Sequence, residues 1–204
     1  MFTGIVQGRA RVAAITDHDG VRTMRLAFPA GALDAVKDGA SIAIEGVCLT
    51  VTSHTDDHAV FDCIEETLLK TTLGRLKASS YVNFERSARF GDEVGGHVVS
   101  GHIIGTGEVV EHQAVDDNLR LRIRPPDAAR PFILHKGFVA IDGISLTVGA
   151  VSDSGFDLHL IPETLRLTTL SERLVGDPVN VEVDPMTQAV VSTVERIMAA
   201  RAEV

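Results

Sequence analysis

The chain has 204 residues, 45% of them apolar and 23% charged, with a formal net charge of −9. That balance belongs to a soluble globular protein, and its acidity argues against a nucleic-acid partner, which would need cations set against phosphates. No apolar run reaches bilayer length and two cysteines, Cys48 and Cys63, are too few for a disulfide scaffold, so a cytoplasmic protein without membrane attachment is expected.

Met1-Phe2-Thr3-Gly4-Ile5-Val6 opens the chain with neither a basic leader nor a signal-peptide core, in keeping with that compartment. Val21 to Leu26 alternates loosely, and Pro29 to Val36 predicts a short helix. Ser41 to Ile44 and Cys48 to Val51 flank Glu45-Gly46, an acidic residue and a glycine between β-branched runs, which predicts a tight hairpin turn. Ala59 to Ile64 is a further strand, Glu66-Thr67 opens a single helical turn, and Tyr81 to Glu85 closes the set. Ser87 to Gly96 reads as a connector.

The same order then returns at a constant offset of 97. Gly4, Gly8 and Val12 recur as Gly101, Gly105 and Val109, and Ile44, Gly46, Leu49, Thr50 and Val51 as Ile141, Gly143, Leu146, Thr147 and Val148. Glu66-Thr67-Leu68 returns as Glu163-Thr164-Leu165, and Val82-Asn83 as Val179-Asn180. A second short helix is expected over Pro125 to Leu134, a further strand at Phe156 to Ile161, a helical turn at Pro162-Glu163-Thr164, and a closing strand at Val179 to Val183. A duplication in one register means two copies of one domain and two similar pockets. The expected divisions are 1–97, 98–184 and a tail at 185–204. Regular short strands in each copy point to an all-β fold of two small closed barrels. The tail places Thr187, Val191, Val194 and Met198 on a helical seam, which either packs on its own barrel or mediates self-association.

Several motifs together resemble the riboflavin synthase family: the N-terminal Met1 to Val6, Gly46-Val47-Cys48-Leu49-Thr50-Val51, Gly95-Gly96-His97-Val98-Val99-Ser100-Gly101-His102, Asp142-Gly143-Ile144-Ser145-Leu146-Thr147-Val148, and Ile161-Pro162-Glu163-Thr164-Leu165. The resemblance covers the whole chain. It implies two tandem six-stranded Greek-key barrels, each binding one molecule of 6,7-dimethyl-8-ribityllumazine, and a C-terminal helix that assembles three chains. It further implies a transferase that dismutates two lumazines without metal or redox cofactor, giving riboflavin and 5-amino-6-ribitylaminouracil. Catalysis would occur where the first barrel of one chain faces the second barrel of a neighbour, and an association with lumazine synthase is a further expectation. The other reading on this fold is a non-catalytic lumazine or flavin carrier. Such carriers tend to lose the histidine of the Ser-Gly-His motif, which is intact here as Ser100-Gly101-His102.

Two identical reactants must be held in one pose and yet play opposite parts, so the mismatches between repeats carry the chemistry. In the register Ile5 corresponds to His102, Cys48 to Ser145, Ser41 to Phe138 and Gly39 to Lys136. His102 has the intrinsic pKa of a proton-transfer group near neutrality and suits deprotonation of a lumazine methyl. Cys48 and Ser145 can donate hydrogen bonds or attack an electron-poor ring carbon, with water as the alternative nucleophile. Thr50 and Thr147, two residues on, share their strand face. Gly4, Ile5 and Val6, with Gly101, His102 and Ile103, bring backbone close to a flat heterocycle. Glu66-Thr67 and Glu163-Thr164 are the expected ribityl contacts, and Lys136 is expected to meet the second ligand alone. Asp62, Cys63, Ile64, Glu65, Leu160, Ile161, Pro162, Leu165, Leu49 and Leu146 are further expected substrate-binding residues. Helix capping is the alternative role for the Glu/Thr pairs. Ser41 and Asp184 are further catalytic candidates. His97 lies five residues from His102, on the opposite face of an extended strand, and reads as structural. Glu45 departs from the family pattern at a turn, where its expected effect is on loop shape.

Overall fold

The computed structural model describes residues 1–202. Six strands build the first repeat: β1 (Gly8–His18), β2 (Val21–Ala27), β3 (Ser41–Ile44), β4 (Val47–His54), β5 (His58–Ile64) and β6 (Tyr81–Arg86). Their order, β1-β2-β5-β4-β3-β6, closes into a barrel when Gly8 to Arg11 pair with Phe84 to Tyr81. Alternation sends Val12, Met24, Leu26, Ile42, Ile44, Val51 and Phe61 inward, all almost fully buried. Helix α1 (Glu65–Lys70) and one 3-10 turn at Thr72–Arg75 bridge β5 to β6. The helix expected over 29–36 does not form: Gly31 and Ala35 both take positive φ and the segment is a series of turns.

The second repeat gives β7 (Gly105–Val115), β8 (Asn118–Arg124), β9 (Phe138–Ile141), β10 (Ile144–Thr147), β11 (Val151–Ser152), β12 (Gly155–Leu160) and β13 (Pro178–Val183), with α2 (Pro162–Leu167) between the last two strands. The stretch expected as a helix from Pro125 carries a 3-10 segment, Asp127–Phe132. Here the sheet is curled, in the order β10-β9-β13-β7-β8-β12-β11, rather than a six-strand closed ring. The strand equivalent to β4 is divided after Thr147. Gly149 passes so close to β12 that a Cβ would stand 2.9 Å from the Asp157 carbonyl. Two bonds, Gly149 N–H to Asp157 and Asp157 N–H to Ala150, replace the missing ladder.

Each barrel has its own apolar core, but the segments before β1 and β7 cross over. Val6 belongs to the second barrel's core and Ile103 packs on the first. Phe2 and Val99, equivalent in the register, exchange backbone hydrogen bonds at 2.7 and 2.9 Å. Gly46 and Gly143 also meet: a Cβ on either would come within 2.8 Å of the other's backbone. These two pairs mark an approximate twofold axis between the repeats. The turns that touch there are the expected tight ones, with positive φ at Glu45, Gly46, Asp142 and Gly143. Glu45 is thus a turn residue, and its side chain is also fully buried on the axis.

Helix α3 (Pro185–Ala202) is capped by Asp184, whose carboxylate accepts from Thr187 N–H and Thr187 Oγ1. Val191 packs on the second barrel, while Val190, Val194, Ile197 and Met198 remain exposed. The described residues contain no helix long and apolar enough to cross a membrane.

Candidate functional site

The inward alternation of β4 fixes what lies outside it. Val47, Leu49 and Val51 fill the barrel, so Cys48 and Thr50 project from its wall. Thr50 pairs across the ladder with Ser41 on β3, and on β5 the alternation turns Asp62 and Ile64 to the same outer surface. Asp62 accepts a hydrogen bond from Thr23 Oγ1 at 2.7 Å. Over Cys48 lies the crossing segment of the other repeat: Cys48 N–H donates to the Gly101 carbonyl at 3.0 Å. Ser100 and Gly101 are held in turn by Glu182, which accepts from both their amides and from Ser100 Oγ. His102 stands exposed beyond them and Ile103 anchors the segment on the first core.

The second face is built the same way. Ser145 and Thr147 project from β10, and Ser145 N–H donates to the Gly4 carbonyl at 2.8 Å. Glu85 holds Thr3 and Gly4 as Glu182 holds Ser100 and Gly101. Ile5 occupies the place of His102, and Val6 the place of Ile103. Three of the four mismatched pairs therefore collect on two surfaces, each made from both repeats. Cys48, Ser41 and His102 share one; Ser145, Phe138 and Ile5 belong to the other. Lys136 is an exposed non-glycine at φ 65, where its counterpart Gly39 sits at φ 85.

The second face carries one feature to which the sequence alone gives no chemical role. His97 Nδ1 lies 2.7 Å from Ser145 Oγ, and the imidazole stacks on Phe138 with ring centroids 5.1 Å apart. The residue is 7% exposed, and its Nε2 is buried with no protein partner. Burial holds its pKa below the usual histidine value, against the opposing charge of Asp184. Gly96 makes this fit, since a Cβ there would come within 2.7 Å of Ser145. Residues 95–97 do not form a strand, so side-chain parity does not turn His97 away from the site.

Other expected site residues divide by depth. Leu49, Cys63 and Leu160 are buried in the barrels and Leu146 packs on the second core, so each can offer only backbone to the outer faces. Burial pushes the Cys63 thiol up to about 11, which leaves it unreactive near neutrality. Ile64 and Ile161 are exposed at the rims. Glu65 and Glu66 start α1, and Pro162 and Glu163 start α2. No side-chain cap forms at either helix start; Glu66 and Glu163 instead pair with Lys70 and Arg166. Thr67 and Thr164 lend their carbonyls to Thr71 and Thr168, and Leu165 packs on the second core. Among the described residues no group of three or more His, Cys, Asp or Glu is arranged to hold a metal ion.

Comparison with known proteins bears directly on this doubled surface. The family model for the lumazine binding domain matches the chain twice, at residues 3–87 and 100–184. The riboflavin synthase of Escherichia coli is 50% identical over 202 residues, covering 98% of this chain and 95% of that one. That of Chlamydia pneumoniae is 39% identical and covers 98% of both. Among solved structures, LumP complexed with riboflavin superposes with a TM-score of 0.82 at 30% identity, covering 90% of this chain and 99% of that one. LumP complexed with 6,7-dimethyl-8-ribityllumazine gives 0.81 at 27%, with the same coverage.

Proposed function

The chain belongs to the riboflavin synthase family, and from that premise we propose that its two outer faces are the half-sites of a lumazine dismutase. It is a transferase: one 6,7-dimethyl-8-ribityllumazine gives up a four-carbon unit to a second, yielding riboflavin and 5-amino-6-ribitylaminouracil. The observation that carries the reading is the reciprocal crossing of the repeats, Gly101 over Cys48 and Gly4 over Ser145. It makes two like seats with unlike side chains, as one molecule reacting with its twin requires.

In this reading each heterocycle lies against a crossing segment and its outer strand, with Thr50 or Thr147 hydrogen-bonding the ring. Cys48 or Ser145, or a water, adds to the acceptor ring, and His102 takes the methyl proton on the first face. Neutral His97 accepts from or donates to Ser145 Oγ and fixes its direction. Asp62 and the starts of α1 and α2 receive the ribityl hydroxyls, with Lys136 serving the second ligand alone. Asp184 acts through α3 and its charge on His97 rather than at the ring. Both faces are open, with Ile5, Ile64, His102 and Ile161 exposed, so each needs a cover. The uncovered Val190, Val194, Ile197 and Met198 of α3 supply a reason for three chains to associate and bring a first face against a neighbour's second. A cytoplasmic location and contact with lumazine synthase accord with a biosynthetic enzyme of this kind.

A purely ligand-holding protein is disfavoured: the LumP structures are 27–30% identical, against 50% for the Escherichia coli synthase. Incubating the purified chain with the lumazine and following riboflavin with time tests the proposal. Tight binding without turnover would return the carrier reading.

A further inference from the structure

The approximate twofold axis carries a buried charge cluster that the reaction does not consume. Glu45 and Asp142, equivalent in the register, are 1% and 0% exposed. Glu45 Oε1 accepts from Asn83 N–H and Asp142 Oδ1 from Asn180 N–H at 2.7 Å. The two asparagines cross over: Asn83 Nδ2 donates to the Asp142 carbonyl and Asn180 Nδ2 to that of Glu45. One guanidinium serves both acids. Arg173 Nη2 donates to Glu45 Oε2 at 2.5 Å and to Asp142 Oδ2 at 2.7 Å, and Nε to Asp142 at 3.1 Å. Its repeat equivalent is Leu76, so the register sets no second cation on the other side of the axis.

The asymmetry goes further. Thr169 Oγ1 reaches Glu45 at 3.3 Å, whereas the equivalent Thr72 Oγ1 is buried without a partner, because Asp142 is one methylene shorter. Glu45 also holds a left-handed backbone, φ 49, at a turn position that ordinarily favours Asn, Asp or Gly. A residue kept there against its conformational preference is kept for its side chain.

Both acids sit on the hairpins that carry the site, Glu45 three residues before Cys48 and Asp142 three before Ser145. We propose that Glu45, Asp142 and Arg173 form a one-proton, one-cation clamp that sets the two hairpins relative to each other, making Glu45 and Arg173 positioning residues for Cys48 and Ser145. This rests on the functional reading above. Two buried carboxylates facing one guanidinium are balanced only while one keeps its proton. Burial, then the negative charge of Asp142, hold the Glu45 carboxyl well above the usual carboxylate range. The other groups against the cluster are Asn83, Asn180, Thr169 and Thr72, all uncharged, and Asp177, whose charge acts on Arg173.

The direction of the pH effect follows. A carboxyl with a raised folded-state pKa stabilises the fold fully below its unfolded value, and that contribution is lost as pH rises through the folded value. Urea unfolding of the full chain, without substrate, and kcat and KM with the lumazine are measured from neutral into alkaline solution, above the ordinary carboxylate range. In the wild type the unfolding midpoint and kcat fall together on the alkaline side while KM holds. Glu45→Gln, a neutral stand-in for the protonated acid, flattens both profiles. Glu45→Ala lowers kcat by roughly tenfold, the scale of one charge-assisted hydrogen bond, with KM within about twofold. Arg173→Leu, which copies the first repeat, steepens the alkaline fall and stands in should Glu45→Ala not fold. Identical alkaline profiles for the wild type and Glu45→Gln, or equal losses in kcat and KM, would overturn the clamp. A wild type that makes no riboflavin would sink the functional reading instead, and the urea arm would still judge the cluster.

Discussion

Gly101 lies so close to Cys48 that a Cβ added to the glycine would stand 2.5 Å from the Cys48 Cβ, while its carbonyl receives the Cys48 amide at 3.0 Å. The glycine also holds φ +82. Contact and conformation both exclude a side chain, and the result is backbone of one repeat laid directly on the outer wall of the other.

Gly101→Ala should therefore destabilise the chain by about 3 kcal/mol, combining overpacking with the left-handed backbone penalty. Gly39→Ala is the internal control. Gly39 has φ +85, but a methyl group added there would meet no atom within 4 Å, so only the backbone penalty of about 1 kcal/mol applies. Urea unfolding of the two variants separates the terms, and equal losses would mean that the contact with Cys48 is not tight.

His97 is the residue whose removal should expose the difference between the faces. His97→Leu keeps an apolar side chain against Phe138 but loses the hydrogen bond to Ser145, so kcat should fall by about tenfold or more with KM little changed. Its pKa also makes a stability prediction. A histidine with a lowered folded-state pKa leaves the unfolded chain binding more protons between the folded value and about 6.5. Stability is thus full above that range and falls as pH drops through it. His97→Leu should lose this acid-side slope, as measured by urea unfolding at about pH 5.5 and about pH 7.5.

Much of this is legible in the residues. Short-range alternation and turn chemistry predict the strands that begin near Val21, Ser41, Cys48, Ala59 and Tyr81 and the Glu45-Gly46 and Asp142-Gly143 turns, and helical spacing predicts the tail helix, but the long strands β1 and β7 carry no such signal and go unpredicted. The offset register collects the mismatched positions that face outward. It cannot tell that Val6 buries in the second core or Ile103 against the first, since a repeat gives equivalence and not which copy packs on which. The division of the strand after Thr147 turns on the close passage of Gly149 by Asp157, a contact between segments that local pattern does not contain. His97 escapes for a related reason: parity arguments need a strand, and residues 95–97 form none. Glu45 reads correctly as a turn but not as a buried acid, because burial there depends on the meeting of the two turns.

His102 on the first face has the opposite setting, exposed and free to meet a ligand. His102→Gln should slow turnover by about a hundredfold while lumazine affinity changes by less than about threefold, as removal of a proton-transfer group requires. Single-turnover rates and a binding titration by lumazine fluorescence separate the two quantities. Equal losses in rate and affinity would make His102 a contact residue, and the methyl proton would need another acceptor on that face.

In the proposed function the tail helix is what brings the two faces together. Thr187 binds the capping Asp184 and Val191 packs on the second core, so the helix is held before any partner arrives. Beyond them Val194, Ile197 and Met198 are exposed, an apolar strip that a monomer would leave in water. Val194→Glu together with Ile197→Glu places charge on that strip without touching the docked turns. The variant should keep its strand signal in far-ultraviolet circular dichroism, sediment as a single chain where the wild type sediments as the proposed trimer, and still bind the lumazine. Riboflavin formation should fall by at least about a hundredfold, because a reactant held on one face would no longer be presented with its twin and the benefit of a pre-arranged encounter is lost. A monomer that retained full turnover would mean that both seats on one chain suffice, and that the open faces need no neighbour.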